Sequence, residues 1–109
     1  MTERPVETIQ GPNGVVAEIR AARRPYGFEN LLELRVTLLA RVPGASAPFR
    51  YELSRLGVTE DEADRAVGQM VERCRRNLLP YLFRPEFPER FRAHQERKVP
   101  KVIPFGAPR

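Results

Sequence analysis

The side chains that most often carry out catalysis are scarce in this chain. It has one histidine, His94, and one cysteine, Cys74. A nucleophilic Cys–His pair needs the two side chains within hydrogen-bond reach. The spacing around Cys74 predicts the apolar face of a helix, whereas His94 lies in a basic C-terminal segment. We therefore expect a buried thiol and an exposed imidazole, and the two residues are too few for a four-ligand zinc site.

The acidic side chains do not form a recognisable catalytic or metal-binding pattern. The only acidic cluster comprises Glu60, Asp61, Glu62 and Asp64. It lacks the glycine and the ligand spacing of a calcium loop, and negative charge at the start of a helix accounts for it. Gly11 and Gly14 have no strand before them, so they do not make a phosphate-binding loop. We predict a protein that is not an enzyme, with no catalytic residue, cofactor or metal.

Length and composition indicate one globular domain. The chain has 109 residues, of which 41% are hydrophobic and 30% charged. No apolar run approaches the roughly 20 residues of a membrane-spanning helix, and residues 3–7 lack the apolar core of a signal peptide. A single cysteine allows no internal disulfide and favours a reducing compartment. We expect a cytoplasmic protein, or one within a particle assembled there.

Charge is divided unevenly along the chain. Residues 1–71 carry nine arginines and ten acidic side chains, whereas residues 72–109 carry ten basic and four acidic side chains. The last third is therefore basic and the rest nearly neutral. A basic segment of this kind attracts nucleic acid, an anionic surface or an acidic protein partner.

Alternation of apolar and polar side chains predicts three strands, at residues 15–21, 32–42 and 49–53. The middle strand has the clearest pattern, because its apolar side chains all fall on one face of a strand and would be scattered around a helix. Pro25, Gly27 and Asn30 mark the first loop. Pro43-Gly44 predicts a type II turn before the third strand, since glycine accepts the positive φ that this turn requires.

A long helix is predicted to follow the strands. Thr59 and Glu62 have the spacing of a capping box, and Pro80 should end the helix at residues 77–79. One face of this helix is apolar, with the residues Ala63, Ala66, Val67, Met70, Val71, Cys74 and Leu78.

These elements define the predicted architecture. It is an α+β fold in which a three-stranded antiparallel meander packs on one long helix (βββα). Residues 1–13 are an extended leader, residues 14–79 are the core domain, and residues 80–109 are a C-terminal arm rich in phenylalanine and proline. Within the arm, Pro88 favours the start of a short helix that reaches about Lys98. Residues 99–109 contain three prolines and should run extended. The core should fold without the arm.

The arm is the main candidate for binding a partner. Its candidate residues are Phe83, Arg84, Phe87, Arg90, Phe91, Arg92, Arg97, Lys98 and Lys101. The phenylalanines would act as apolar anchors and the basic side chains would supply charge complementarity to a protein partner or larger assembly. Two alternatives remain: the aromatics pack back on the domain, or the arm binds nucleic acid with low sequence specificity. Glu86, Glu89 and Glu96 weaken the nucleic-acid alternative.

A second candidate contact lies in the loop between the first two predicted strands. Tyr26 and Phe28 flank Gly27 at the expected tip of a hairpin. Loop tips often carry binding residues, so the two rings form an exposed contact point or fold over the end of the core.

The solvent face of the predicted sheet is nearly neutral. It carries the charged residues Arg20, Arg35, Arg41, Arg50, Glu18, Glu33 and Glu52. A sheet that faces phosphates should be more positive, although sheets of this topology occur in DNA-binding domains. We therefore interpret the face as a set of cross-strand ion pairs, or as a sheet through which the protein forms a homo-oligomer.

Overall fold

The structure, a computed structural model, describes residues 3–27 and 30–102, with side chains described as far as Gln95. Four strands form one antiparallel sheet in chain order, and two helices follow them. The strands are β1 (Glu3–Gln10), β2 (Val16–Pro25), β3 (Leu31–Arg41) and β4 (Phe49–Thr59), and the helices are α1 (Glu60–Leu82) and α2 (Phe87–Val102). The α+β class, the antiparallel meander and the long helix are confirmed, but the sheet has four strands instead of three, and the short helix predicted in the arm is a helix of 16 residues.

The strand that the sequence did not predict is β1, which occupies most of the extended leader predicted at residues 1–13. It pairs with β2, so that Ile9 lies opposite Ala17 and Thr8 lies opposite Glu18. The register shifts between Pro5 and Glu7, and this irregularity interrupts the alternation by which a strand is recognised. An edge strand also buries little, and β1 holds mainly charged and polar side chains.

The three predicted strands are confirmed, and β4 is longer than the pattern indicated. It continues from Leu53 to Thr59, with Leu56 and Gly57 together opposite Glu33 of β3. Gly57 has a φ of 73°, a conformation that glycine adopts without strain. The turn before β4 also matches the prediction. The amide of Ala45 donates to the carbonyl of Val42 at 3.1 Å, and Gly44 has a φ of 77°.

The core lies between the sheet and α1. Fully buried side chains from the middle of the sheet include Ile19, Leu34, Val36 and Leu38, and α1 covers them with Ala63, Met70 and Cys74 among others. Burying a large apolar side chain stabilises the fold by about 1.5–3 kcal/mol. Glu7 of β1 forms an ion pair with Arg75 of α1, which fastens the edge strand to the helix.

The long helix begins where the sequence predicted and ends later. Thr59 is its N-cap residue, but the Thr59 side chain makes no capping hydrogen bond. The helix continues through Pro80 to Leu82. Proline in the last turn removes only one backbone hydrogen bond, and the burial of Leu79 and Leu82 offsets that loss.

The second helix is also longer than predicted. It was expected from Pro88 to about Lys98, and it runs from Phe87 to Val102. Residues 99–102, expected to be extended, are therefore helical despite Pro100. The remainder of the predicted extended tail, residues 103–109, lies outside the described residues.

The solvent face of the sheet carries the predicted cross-strand ion pairs. Arg24 of β2 binds Glu33 of β3 at 2.6 Å, and Arg35 of β3 lies 3.9 Å from Glu52 of β4. The hydrogen bond from Arg24 is the main cause that lowers the pKa of the Glu33 carboxyl below its ordinary value. These pairs neutralise the face within the chain.

Candidate partner-binding groove

One end of the molecule holds the start of the predicted arm against the sheet. Asn13, in the turn between β1 and β2, donates hydrogen bonds to the carbonyls of Leu82 at 2.9 Å and Arg84 at 2.8 Å. Its own side-chain oxygen accepts a bond from the amide of Val15. A helix end leaves several carbonyls without partners inside the helix. Asn13 satisfies the carbonyls at the end of α1 and thereby fixes where the chain leaves that helix.

A close approach beside Asn13 fixes the same segment. A Cβ atom built on Gly11 would lie 2.4 Å from Cδ1 of Phe83. Only glycine therefore leaves room for this ring against the β1–β2 turn. Phe83, the first residue after α1, is held on the body of the protein.

Two side chains attach α2 to the loop between β3 and β4. Arg92 donates to the carbonyl of Pro43 at 2.6 Å, and its aliphatic stem lies over Gly44. Gln95 donates to the carbonyl of Ala47 at 2.9 Å and accepts hydrogen bonds from the amide and the hydroxyl of Ser46. Residues 43–47 are therefore the platform on which the helix rests.

Four aromatic rings meet between α1, α2 and β4. Phe87 is buried at their centre, with its ring centroid 5.5 Å from Phe91, 5.0 Å from Tyr81 and 6.2 Å from Phe49. Phe87 and Phe91 stack, and the other contacts are edge-to-face. Such arrangements suit the charge distribution of aromatic rings. Tyr81 remains 49% exposed.

The rings form one wall of an open groove of about 540 Å³. Its lining residues are Pro48, Phe49, Arg50, Tyr81, Phe87, Arg90, Phe91, His94 and Gln95. The lining contains two arginines and no carboxylate. Arg50 forms an ion pair with Glu52, whereas Arg90 has no ion pair with any side chain that the structure describes. The groove is therefore aromatic on one side and basic at its rim.

The predicted arm residues have different placements. Phe87 is buried, Phe83 and Phe91 are half-buried, and all three pack on the core cluster. Arg92 bonds the β3–β4 loop, while Arg84 and Arg90 are exposed. The side chains of Arg97, Lys98 and Lys101 lie outside the described residues, although their backbone belongs to α2.

The hairpin-tip candidates do not join the groove. Tyr26 is exposed at the β2–β3 tip, and its amide donates to the carbonyl of Leu31 at 2.9 Å. This tip lies at the opposite end of β3 from the platform at residues 43–47. Phe28 lies outside the described residues.

Several groove residues were not predicted to bind a partner. The alternating pattern assigned Phe49 to a strand face, and Tyr81 followed a proline expected to end the helix. Gln95 had no pattern around it that indicated a contact with residues 46 and 47. Aromatic density between residues 81 and 91 was the one usable signal in the sequence.

Cys74 and His94 are separated as expected. Cys74 is buried in the core, and this burial raises the pKa of its thiol, an effect that the charge of Arg73 partly offsets. His94 is exposed in the groove. Within residues 3–27 and 30–102, no three His, Cys, Asp or Glu residues gather in a way that suits a metal ion.

Comparison of the chain with protein-family models, curated proteins and solved structures gives no match. None of the helices in the described part of the chain combines the length and the apolar character needed to cross a membrane.

Proposed function

We propose that this protein is a non-catalytic interaction module that docks into a larger assembly through the groove between α2 and β4. The observation that carries the proposal is the exposed Tyr81 ring, which lines the groove together with Phe91 and with Arg90, an arginine that has no ion pair among the described side chains. Exposed aromatic and arginine side chains are the types that contribute most binding energy at protein interfaces. A monomer gains no stability from leaving a large ring in water.

The roles within the predicted arm change accordingly. Phe83 and Phe87 position the helix, because their rings pack inside the molecule. Contact with a partner falls to Tyr81, Phe91 and Arg90, which line the groove. The proposed docking surface is thus a formed groove on the body rather than an extended segment.

The chemistry of the groove favours an acidic partner segment with apolar side chains. The apolar side chains would pack on Phe91 and Tyr81, and a carboxylate would pair with Arg90. The C-terminal third of the chain, with ten basic and four acidic side chains, would steer such a segment towards the groove. The size of the groove suits a few residues of a peptide.

Nucleic acid is the second candidate, because an exposed ring beside arginine also suits base stacking. The groove lining disfavours it, since it offers only Arg50 and Arg90 to a run of phosphates and Arg50 already pairs with Glu52. We also propose that the protein is cytoplasmic. The support for this location is the single cysteine, which is a free thiol and suits a reducing compartment.

Fluorescence anisotropy with three labelled probes tests the proposal. The probes are a short peptide of alternating glutamate and leucine or phenylalanine, the same peptide with lysine in place of glutamate, and oligothymidylate. We expect the acidic peptide to bind with a dissociation constant on the order of micromolar, with an affinity that falls moderately as salt screens the charge interactions. The lysine peptide should not bind.

Two results would overturn the proposal. Equal binding of the acidic and lysine peptides, or no binding of either, would show that the groove does not select an acidic segment. Binding of oligothymidylate with an affinity that falls steeply with salt, at a slope of about −0.7 for each phosphate contacted, would assign the surface to nucleic acid.

A further inference from the structure

The two edges of the sheet differ in their ability to accept another strand. The free edge of β1 contains Pro5, which has no amide hydrogen, and a register shift immediately after it. Proline and bulges at an edge prevent further pairing. By contrast, residues 49–55 of β4 hold no proline and pair regularly with β3. Alternate backbone N–H and C=O groups of these residues therefore point away from the sheet without a strand partner among the described residues.

The β4 edge also carries exposed apolar side chains. Tyr51 is 38% exposed and Leu56 is 53% exposed, and both lie on this strand. Tyr51 is opposite Leu38 in the β3–β4 pairing, so it lies on the helix side of the sheet together with Phe49 and Leu53. Arg50 and Glu52 lie on the other side.

Pairing of β4 with β4 of a second copy restricts the register. The two copies must place their helix sides on the same face, because directly opposed residues in an antiparallel pair point the same way. Two residues that face each other across the contact are therefore both odd-numbered or both even-numbered. The symmetric registers that use residues 49–55 are centred on Tyr51, Glu52 or Leu53.

Charge selects one of these registers. Centring on Tyr51 places Arg50 opposite Glu52 of the second copy, and the symmetry repeats this pair. It also places Phe49 opposite Leu53 of the second copy on the helix side. Centring on Glu52 would bring two carboxylates together, which destabilises a strand pair, and centring on Leu53 would place Tyr51 opposite Arg55.

We propose that a second copy of this chain pairs antiparallel with β4, centred on Tyr51, to form a symmetric dimer with an eight-stranded sheet. This inference goes beyond the proposed function and is argued from other observations, although Phe49 and Arg50 belong both to the strand contact and to the lining of the groove. Assembly stops at the dimer, because the edges that remain are the two β1 strands with Pro5 and the register shift. Both helix layers then lie on one face of the sheet.

Charge exchange at the proposed dimer contact gives a first test in the full-length protein. Arg50→Glu and Glu52→Arg each oppose like charges in the homodimer, whereas an equimolar mixture opposes unlike charges in the heterodimer. Sedimentation equilibrium should show dimers of the wild type, at least a tenfold weaker association for each variant alone, and recovery on mixing. Arg41→Glu, on the same solvent face but on β3, is the matched control and should leave association unchanged. A wild type that stays monomeric up to millimolar concentration, or variants that do not recover on mixing, would overturn the proposal.

A disulfide test checks the register without altering charge. The Tyr51 Cα atoms of the two copies would lie about 4.5–5.5 Å apart, within the range that a disulfide bridges. The two Leu53 residues would be displaced by four positions, about 14 Å along the strands. Tyr51→Cys should therefore form a disulfide-linked dimer in a glutathione buffer, and Leu53→Cys should not; the native Cys74 is buried and does not compete. Cross-linking of Leu53→Cys, or failure of Tyr51→Cys to cross-link, would contradict this register.

Discussion

The rings of Phe87 and Phe49 are in edge-to-face contact, with their centroids 6.2 Å apart. This contact joins the first turn of α2 to the first residue of β4, two elements that are distant in the chain. Phe91 extends the same contact by stacking on Phe87. The groove exists because these rings hold the helix beside the strand and leave Tyr81 exposed.

Truncation tests whether the segment after α1 belongs to the core. Leu82 is fully buried and Phe87 nearly so. Removal of a buried leucine or phenylalanine side chain costs about 2–5 kcal/mol, and a domain of this size has roughly 5–15 kcal/mol of stability. Sequence alone predicted that the core folds without residues 80–109, and the burial of these two side chains favours the opposite expectation. A chain ending at Leu79 should lack a cooperative thermal transition by circular dichroism, and a chain ending at Gln95 should keep it. A cooperative transition of the shorter chain near the wild-type melting temperature would show that the core ends at Leu79.

Asn13→Ala should destabilise the protein by about 1–3 kcal/mol, because it leaves the carbonyls of Leu82 and Arg84 without their donor. Urea unfolding measures the change in free energy. Asn77→Ala is the control: Asn77 is exposed on α1, and its replacement should change the free energy of unfolding by less than about 0.5 kcal/mol. Equal effects of the two substitutions would mean that Asn13 does not hold the end of α1.

Two glycine-to-alanine substitutions should have opposite effects on stability. Gly11→Ala introduces a Cβ atom into the Phe83 ring, and overpacking of this kind costs about 1–3 kcal/mol. Gly68 lies in α1 with no atom within 4 Å of the Cβ position. Gly68→Ala should therefore stabilise the helix by about 0.5–1 kcal/mol. Differential scanning calorimetry compares the two melting temperatures, and a Gly11→Ala protein as stable as the wild type would show that Phe83 is not packed against this turn.

Stability should fall in acid partly through Glu33. Its carboxyl has a pKa below the ordinary value because Arg24 donates a hydrogen bond to it. A group whose pKa is lower in the folded state stabilises that state above its unfolded pKa, about 4.3 for glutamate, and this contribution is lost as pH falls through the folded pKa. The stability advantage of the wild type over Glu33→Gln should thus be full near pH 7 and should shrink below about pH 4.3.

Glu86→Gln is the control for this pH dependence. Glu86 is exposed between the two helices and has no ion pair with the side chains that the structure describes. Urea midpoints across the pH range should therefore follow the wild type for Glu86→Gln and differ for Glu33→Gln. A constant difference between wild type and Glu33→Gln at every pH would contradict the account of the Arg24–Glu33 pair.

Local patterns predicted those parts of the fold whose burial is one-sided and regular. The alternation around Leu34 and Leu38, and the helical spacing from Ala63 to Cys74, each follow from a single buried face. Strand β1 escaped prediction because it lies at an edge, is mostly polar and changes register after Pro5. Its position depends on pairing with β2 and on the ion pair to Arg75, and neither contact is visible in the alternation of its own residues.

The groove was harder to predict for the same reason. Aromatic density correctly drew attention to Phe87 and Phe91, but the sequence did not reveal that they face Phe49. Proline rules placed the end of α1 before Pro80, which removed Tyr81 from the helix on which it is presented. Burial of Leu82 outweighs the cost of placing a proline in the helix. A rule based only on neighbouring residues does not include the free energy of that burial.

Paired double variants test whether the groove binds an acidic partner segment. Tyr81→Ser with Arg90→Glu changes the exposed ring and the exposed arginine of the groove. Tyr26→Ser with Arg65→Glu makes the same changes at an exposed ring and an exposed arginine outside it. Binding of the labelled acidic peptide is measured by anisotropy for both variants and for the wild type.

We expect the groove variant to lose at least a factor of ten in affinity, about 1.4 kcal/mol, while the other variant stays within a factor of two of the wild type. Equal losses in the two variants would show that only overall charge attracts the peptide. A larger loss in the Tyr26→Ser, Arg65→Glu protein would move the binding site away from the groove and contradict the account.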